Sequence, residues 1–514
     1  MRRLPRPNRL HGARGGRPGL RSGRACGVVV MTRTNELSAT KRTLLERWRS
    51  GRVALGGQSI PRRDPAQPAP LSVQQERFWL LEQLTPGTSA FTLSFAAWLH
   101  GDVDAPALGH AVIDLARRHE SMRTTIGLAA AGPVQEVAAE PAVRLELHDA
   151  GSVPAPRRAR ESLRLVTTAL REPFDLARGP LARTWLVSLQ PDLHLFAIIV
   201  HHLVSDGWSL GVALTELRVL YERHAAGEPP ALPAPVLQYG DVAAWQRSWL
   251  REGRWRANLP WWRDRLAGGE PPALPADRPR PALPSLRCHS RPFTLPTDLS
   301  RGLRDLARLE GVTLFVTLLT GFVALLAGAS GQTQVAVGSP TANRPHAETF
   351  GVIGVFINTL VLRVDLSGDP TLREVLRRVR AVTLQALAHQ DVPFEELVQD
   401  LRSERDLDRS PLFQALFVLQ NSPMPELGFG GARMEPVELP SGSCMVDLEV
   451  HLWDREPEIG GRLNASADVF EAATADRLLR RLLAALEMLA ADPERRLVSE
   501  GAMRGGRDAV RHVL

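Results

Sequence analysis

Apolar and polar residues follow regular patterns from about Leu71 to the end of the chain. An apolar residue at every third or fourth position is typical of amphipathic helices, and short apolar runs bounded by turn residues are typical of buried strands. Helices are predicted over residues 71–84, 104–119, 209–226, 312–329, 370–390 and 472–491, and strands over 193–200, 333–337 and 358–364. Because strands and helices alternate in both halves, the pattern predicts an α/β or α+β fold in two comparable lobes.

Composition shifts predict the boundaries of these parts. Residues 1–30 are rich in Arg and Gly and have no apolar period, so we expect a disordered tail, best explained by an over-extended reading frame with the start at Met31. Residues 31–70 predict a short helix and a proline-rich linker. A proline cluster near 271–284 predicts the boundary between a first lobe (71–270) and a second lobe (271–500), which a tail (501–514) follows.

Charge changes this picture little outside the tail. The 514 residues include 63 Lys and Arg against 56 Asp and Glu, a net charge of +7. Residues 1–30 hold eight arginines and no acidic residue, so the rest of the chain carries about −1. A nucleic-acid-binding domain needs a basic face on its folded part. We therefore expect no nucleic-acid partner.

The cysteines and the longest uncharged run bear on localisation. Cys26, Cys288 and Cys444 are far apart in sequence and match no zinc or disulfide spacing, which fits a reducing cytoplasm. The run Val312 to Ala329 contains several threonines and glycines and predicts a buried core helix rather than a membrane span. We expect a cytoplasmic protein with no membrane partner and no secretory signal.

The candidate chemistry lies in residues 201–209, HHLVSDGWS, where a buried strand is predicted to end and a helix to begin. A neutral histidine held at a strand end can accept a proton near neutral pH. Asp206 cannot share a strand face with His202 and is expected to hold the loop through an arginine, while Gly207 lets the backbone turn close to the site. The alternative is a satisfied pair of core histidines, although HHxxxDG arises by chance on the order of once in a thousand such chains.

The HHxxxDG segment resembles the active-site motif of nonribosomal peptide synthetase condensation domains, which are related to chloramphenicol acetyltransferase. Further segments resemble the other motifs of that family and occur in the family's order. These segments are residues 71–84, 118–126, 239–246, 353–363, 389–398 and 409–421. The resemblance extends from Leu71 to about residue 500.

The resemblance implies a V-shaped pseudo-dimer of two acetyltransferase-like lobes with the active site in a tunnel between them. Two carrier proteins deliver phosphopantetheine-bound thioesters, and the acceptor amine attacks the donor thioester to form an amide. His202 is implied as the catalytic residue, either as general base or as the group that positions the amine and stabilises the tetrahedral intermediate. His201 is implied as structural, and Gly207 as a backbone N–H donor or as clearance for substrate.

The resemblance also implies roles around the motif. Asp206 and Arg123 match a structural ion pair of the family. Ser205, Trp208 and Asn358 are expected to line the tunnel, with a strand-edge hydrogen bond as the alternative for Asn358. Residues 338–345 match the loop that bridges the lobes, and Asn343 replaces the usual glycine there, a change expected to alter the tunnel.

Two sets of residues outside the motif have more than one possible role. Gln74, Gln75, Phe78 and Trp79 are expected to pack a helix, with a share in the tunnel wall. Phe394 and Glu395 fit carrier docking and packing equally well.

The expected partners are peptidyl or acyl carrier proteins acting in trans, because the sequence shows no adenylation motif and no carrier serine motif. This predicts a free-standing enzyme or a fragment of a split synthetase, with a weak preference for donors that end in a D-residue or for hybrid polyketide-linked pathways. No resident cofactor is expected, and the paired histidines lack a third ligand at zinc spacing. The alternatives are a soluble acyltransferase acting on a small-molecule amine or alcohol, and an inactive recruitment module, which the intact histidines disfavour.

Overall fold

The computed structural model describes residues 59–130, 132–267, 274–401, 412–420 and 428–497. The predicted tails at 1–30 and 501–514, and the helix predicted early in 31–70, lie outside the described residues. Within them, two six-stranded mixed sheets and their helices form a mixed α/β fold, so the predicted fold class is confirmed.

Each helix predicted from the apolar period is present. The described helices are α1 (Val73–Leu84), α2 (Ala105–Arg118), α3 (Ala155–Arg171), α4 (Gly207–Ala225), α5 (Tyr239–Glu252), α6 (Leu259–Leu266), α7 (Thr297–Leu309), α8 (Leu314–Ser330), α9 (Leu372–Ala388), α10 (Phe394–Leu401) and α11 (Ala472–Ala491). Side-chain caps define several starts, because Ser72, Asp104, Asp206 and Thr313 each accept a hydrogen bond from a backbone N–H of the first turn.

The described strands are β1 (Ala69–Pro70), β2 (Thr92–His100), β3 (Thr124–Ala129), β4 (Gly132–Val137), β5 (Leu145–Asp149), β6 (Ala182–Gln190), β7 (Leu193–His201), β8 (Cys288–Leu295), β9 (Gln334–Thr341), β10 (Asn358–Asp365), β11 (Ala415–Gln420), β12 (Gly428–Phe429), β13 (Ala432–Val437), β14 (Leu448–Arg455) and β15 (Glu458–Ser466). Strands β1, β4 and β3 form a small separate sheet.

The first large sheet has the order β12-β13-β2-β7-β6-β5 and holds β7 between β2 and β6. Both neighbours pair antiparallel with β7, as in the registers Ala97↔Phe196 and Trp185↔Ala197. Residues 195–201 are all buried, as the continuous apolar run predicts. The strand therefore ends with His201 rigidly placed inside the first lobe.

Strands β12 and β13 join the first sheet although residues 428–437 belong to the predicted second lobe. Arg433 lies opposite His100 and Val437 opposite Ala96. In the other direction, Trp262 of α6 is buried in the core of the second lobe. The two lobes thus exchange elements on both sides of the boundary near residue 271.

The second large sheet has the order β10-β9-β11-β14-β15-β8. Strand β9 is longer than predicted, because Gly338 to Thr341 pair with Val361 to Asn358 of β10. The loop matched to residues 338–345 therefore begins only after Thr341. Residues 342–357 connect β9 to β10, and we call them the bridging loop.

The apolar run at 312–329 forms α8, a core helix of the second lobe, as predicted, with Leu318, Leu319 and Phe322 fully buried. No single helix in the described ranges is long and apolar enough to cross a membrane. Helices α7 and α8 taken together have the length and composition of a membrane span, but they are bent by 111° relative to each other.

Cys288 and Cys444 are far apart in sequence but adjacent in the fold. An antiparallel bridge between Arg287 and Ser443 brings their segments together. A hydrogen bond from the Cys444 thiol lowers the pKa of the Cys288 thiol. Sequence spacing gave no sign of this contact.

Candidate active site

The HHxxxDG segment occupies the junction between β7 and α4. His201 is the last residue of β7, His202 to Val204 form a 3-10 turn, and Gly207 begins α4. The turn is held by backbone bonds, since His202 N–H donates to the Phe91 carbonyl at 2.7 Å. This is the strand-to-helix position that the sequence predicts.

The His202 ring is fixed by one hydrogen bond and one ring contact. Its Nδ1 lies 3.2 Å from the Ser205 carbonyl. A carbonyl only accepts, so Nδ1 carries the ring proton and Nε2 carries the lone pair. The Phe78 ring stacks on the imidazole, with centroids 5.0 Å apart and planes inclined by 7°. Within the described ranges, Nε2 has no hydrogen-bond partner, so its lone pair is unoccupied.

Burial lowers the pKa of the His202 imidazole to about 4, although Asp206 and the Ser205 carbonyl favour the charged form. Burial outweighs them because the protonated ring loses its hydration. At neutral pH the ring is therefore uncharged, and its lone pair is on Nε2.

His201 faces the interior, and its ring has the opposite tautomer. Leu203 N–H donates to Nδ1 at 3.1 Å, so Nδ1 carries the lone pair and Nε2 the proton. The residue is 1% exposed, and burial lowers the pKa of its ring to about 3. These contacts agree with the structural role expected for His201.

Asp206 is fully buried and joins the start of α4 to the bridging loop. Its Oδ1 accepts from Ser209 N–H at 2.7 Å, which caps α4, and its Oδ2 accepts from Phe356 N–H at 2.9 Å. The Arg344 guanidinium lies 3.2 Å from Oδ1. Asp206 holds the loop through an arginine, as predicted, but the arginine comes from the bridging loop.

The expected pair between Asp206 and Arg123 is wrong. Arg123 ends the 3-10 turn Glu120–Arg123, which leads into the small sheet, and its guanidinium donates to the Ala138 carbonyl. No hydrogen bond or ion pair joins it to Asp206 among the described residues. Arg123 therefore supports the small sheet rather than the motif.

The bridging loop binds the start of α4 at several points. Arg344 donates to Ser209 Oγ at 2.8 Å and to the Val352 carbonyl at 2.9 Å, and its guanidinium lies 3.7 Å from the Phe356 ring centroid. Ser209 Oγ donates to the Gly354 carbonyl at 2.7 Å. These bonds connect the second lobe to the motif.

Gly354 permits the closest approach in this region. A Cβ at this position would lie 1.9 Å from an atom of the Tyr239 ring. The Tyr239 hydroxyl lies 2.7 Å from Ser72 Oγ and 2.6 Å from the Val355 carbonyl. Tyr239 therefore links α1, α5 and the bridging loop, which only glycine at 354 allows.

The expected tunnel residues differ in what they contribute. Ser205 is 2% exposed and supplies its carbonyl to His202, so its role is orientation of the ring. Trp208 is half-buried and donates from Nε1 to the Phe350 carbonyl at 2.9 Å. Gly207 has no positive φ, and its N–H, in the first turn of α4, has no hydrogen-bond partner among the described residues.

Asn358 has the strand-edge role that was the alternative prediction. Its Nδ2 donates to the carbonyls of Gln390 and Val392, each at 2.9 Å. Its Oδ1 accepts from Phe394 N–H at 3.0 Å. Because these bonds use both donors and the acceptor oxygen, Asn358 braces the turn before α10 and offers no free polar group to a tunnel.

Several residues of the site carry no signal in the sequence alone. Gln75, predicted as helix packing, donates to the Leu203 carbonyl at 3.3 Å and to Gln135 Oε1 at 3.0 Å. Arg344 lies inside the segment matched to the bridging loop, but nothing there distinguishes it from the other arginines. Their partners are distant in sequence, so only the folded chain reveals them.

A second contact joins the lobes beside the motif. Arg77 of α1 donates to Glu395 of α10 at 3.3 Å and lies over the Phe394 ring, 5.0 Å from its centroid. Phe394 is buried, which favours packing over carrier docking for this residue.

The family model of the condensation domain matches residues 66–507 of this chain. The chain belongs to the condensation domain family. Chondramide synthase of Chondromyces crocatus is 40% identical to it over 428 residues, which are 83% of this chain and 11% of that synthase. Phosphinothricin tripeptide synthetase PhsC of Streptomyces viridochromogenes is 37% identical over 495 residues, 94% of this chain and 45% of that protein. This condensation domain thus spans less than half of either relative.

Solved structures agree with this assignment. The X-domain from teicoplanin biosynthesis matches with a TM-score of 0.75 and 29% identity, over 86% of this chain and 99% of that domain. An X-domain from the same biosynthesis is also solved in complex with OxyB. The resemblance predicted from the motifs is confirmed for both family and fold.

In this condensation domain the expected glycine of the bridging loop is Asn343, which has φ of 47°. Asparagine enters this left-handed region more readily than most residues with a side chain. The backbone conformation that glycine accommodates is therefore kept. The effect on the tunnel stays a prediction.

Proposed function

We propose that this condensation domain forms an amide bond between an acceptor amine and a donor acyl group carried as a thioester. The observation that supports this is the His202 ring, held in the tautomer that leaves the Nε2 lone pair available. The amine nitrogen attacks the thioester carbon while Nε2 accepts a proton from it. The C–S bond then breaks, and the proton passes from Nε2 to the departing sulfur, which leaves a neutral base.

Gly207 is proposed as a donor to the oxyanion of the tetrahedral intermediate. Its backbone N–H lies in the first turn of α4, where it has no intrahelical partner and the helix dipole favours negative charge. Backbone donors of this kind stabilise charge that develops during acyl transfer.

The proposed substrates are phosphopantetheine-bound thioesters on separate peptidyl or acyl carrier proteins. The family assignment and a probable nonribosomal peptide synthetase among the relatives support this proposal. Such thioesters are made and used inside the cell, so the proposal places the reaction in the cytoplasm. We expect weak, transient carrier binding, because a recycled partner must be released quickly.

A recruitment role is the second candidate, because a related X-domain is solved in complex with OxyB. The third candidate is an acyltransferase that acts on a small-molecule amine or alcohol, which the sequence also allows. The intact His202 arrangement favours catalysis over recruitment.

The test compares wild type with His202→Ala, using a carrier-bound donor and product detection by mass spectrometry. We expect His202→Ala to lose about 100-fold or more in turnover with an unchanged melting temperature. Full turnover by the folded variant would refute the role of His202. Offering the donor as a free coenzyme A thioester tests whether a carrier protein is required. Equal efficiency with the free thioester would favour a small-molecule acyltransferase.

A further inference from the structure

Glu82 is a buried carboxyl that the proposed chemistry leaves unused. It lies on α1 one turn after Phe78, the residue that stacks on His202, and it is 6% exposed. Its Oε1 lies 3.9 Å from Nε2 of His201. Among the described residues, neither Glu82 Oε2 nor His201 Nε2 has a hydrogen-bond partner. A buried carboxyl group and a buried N–H donor therefore face each other, with Oε1 and Nε2 beyond hydrogen-bond distance.

The tautomer of His201 makes this contact directional. Its Nδ1 accepts from Leu203 N–H, so the proton of the neutral ring is on Nε2, the atom that faces Glu82. A carboxyl oxygen can accept from this N–H whether or not the acid is protonated. A hydrogen bond here would fix the ring in the orientation that binds Leu203.

His201 is connected to His202 through the turn that both residues share. Leu203 N–H, which binds the His201 ring, lies inside the 3-10 turn His202–Val204. The Ser205 carbonyl, which orients the His202 ring, follows directly after that turn. If the His201 ring rotates, the turn loses an anchor and the His202 Nε2 lone pair changes direction.

We infer that Glu82 is a positioning residue, whose carboxyl accepts the Nε2–H of His201 and so fixes the turn that presents His202. The inference rests on the proposed function of His202. A small rotation of the Glu82 side chain brings Oε1, which lies 3.9 Å from Nε2, within hydrogen-bond distance. Catalytic groups must be held within about 0.5 Å of the productive geometry, which packing and supporting hydrogen bonds achieve.

Two substitutions of similar size separate the acceptor role from packing. Glu82→Gln keeps a carbonyl oxygen that can accept from Nε2–H, whereas Glu82→Leu removes it. We expect Glu82→Gln to keep roughly wild-type kcat, and Glu82→Leu to lose about 10-fold to 100-fold in kcat with little change in KM. The melting temperature of Glu82→Leu should change little, because removal of a buried carboxyl group from an apolar site offsets the lost contact to the His201 N–H.

The matched control is Gln83→Ala, an exposed neighbour on the same helix, which should behave as wild type. Wild-type kcat in Glu82→Leu would overturn the inference. Equal losses of kcat in the Gln and Leu variants would also overturn it, since both could not then depend on the acceptor oxygen.

A second measurement needs no turnover and so separates this inference from the proposed function. In protein labelled with 15N-histidine, with His201→Gln used for assignment, His201 should show a single tautomer protonated at Nε2. Glu82→Leu should shift that resonance pair toward a tautomer mixture, and Glu82→Gln should not. Unchanged His201 resonances in Glu82→Leu would refute the contact, while failure of condensation in wild type would refute only the proposed function.

Discussion

Two adjacent histidines acquire different chemistry from one backbone hydrogen bond each. A carbonyl places the proton of His202 on Nδ1, and an N–H places the proton of His201 on Nε2. Burial keeps both rings neutral, because it lowers the pKa of His201 to about 3 and that of His202 to about 4. Only His202 therefore offers an unoccupied lone pair. The dipeptide alone could not show this, since the tautomers depend on how the following turn is oriented.

The raised pKa of the buried Glu82 carboxyl should make the stability of the protein depend on pH. Burial raises the pKa of its carboxyl from 4.5 to about 7, so between these values the folded state holds a proton that the unfolded state has released. The contribution of this proton to stability is complete below pH 4.5 and is lost as the pH rises through 7. Glu82→Gln should therefore raise the free energy of unfolding more at pH 8 than at pH 5, by about 1–2 kcal/mol.

Urea unfolding at the two pH values checks this prediction. The same substitution at exposed Glu76, on the same helix, is the control and should show little of this effect. The lowered pKa values of the two histidines act in the opposite sense, because neutral buried histidines stabilise the fold above pH 6.5 and lose that contribution in acid. An equal change at pH 5 and pH 8 for Glu82→Gln would contradict the prediction.

At the scale of elements, the start of α4 is one of the places where the two lobes meet. Asp206 caps this helix and also receives Arg344 from the bridging loop. Ser209, three residues later, bonds both Gly354 and Arg344 of the bridging loop. The first turn of α4 therefore follows the HHxxxDG motif directly in the first lobe. The same turn also binds the bridging loop of the second lobe.

A double-mutant cycle tests the pair at the centre of this junction. Asp206→Ala and Arg344→Met each leave a buried charge unpaired and should each cost about 3–5 kcal/mol of unfolding free energy. The double variant should cost clearly less than the sum, because the second substitution removes the charge that the first left unpaired. Chemical denaturation of the four proteins gives the coupling energy.

Arg123→Met is the matched control for this cycle. Its effect should add to that of Asp206→Ala, since Arg123 donates to the Ala138 carbonyl instead. If the losses of unfolding free energy were additive for Asp206 and Arg344 but coupled for Asp206 and Arg123, Arg123 would be the partner of Asp206.

Across the whole molecule, exchanged elements bind the lobes into one unit. Strand β13 completes the first sheet from a chain segment that otherwise belongs to the second lobe. Phe429 and Met434 are buried in the first core, while Trp262 is buried in the second. Neither core is complete without residues from the other side of the boundary.

Thermal unfolding should therefore show a single calorimetric transition, with agreement between calorimetric and van't Hoff enthalpies. Met434→Lys places a charge in the first core without a partner and should lower the midpoint of that one transition. Arg433→Lys, at an exposed neighbour on the same strand, should leave it unchanged. Two separate transitions, of which Met434→Lys moves only one, would show that the lobes unfold independently.

Local patterns were sufficient for much of this protein. The helical periods of α1, α2, α4, α8, α9 and α11 were visible because each helix buries one face or, in α8, nearly all of its surface. The apolar run of β7 and the capping Asp206 placed His202 at a strand end. Motif order indicated the family, because several segments that resemble its motifs occur in this sequence in the family's order.

Contacts between distant segments were decided by the tertiary structure alone. Arg344 rather than Arg123 pairs with Asp206, although the chain holds many arginines, because only the return of the bridging loop brings one guanidinium into that buried position. Asn358 is saturated by a turn that follows it by more than thirty residues. The opposite tautomers of His201 and His202, and the approach of Glu82 to His201, depend on atoms that chain order does not bring together. Hydrogen bonds act over about 3 Å, whereas a sequence pattern records only neighbours along the chain.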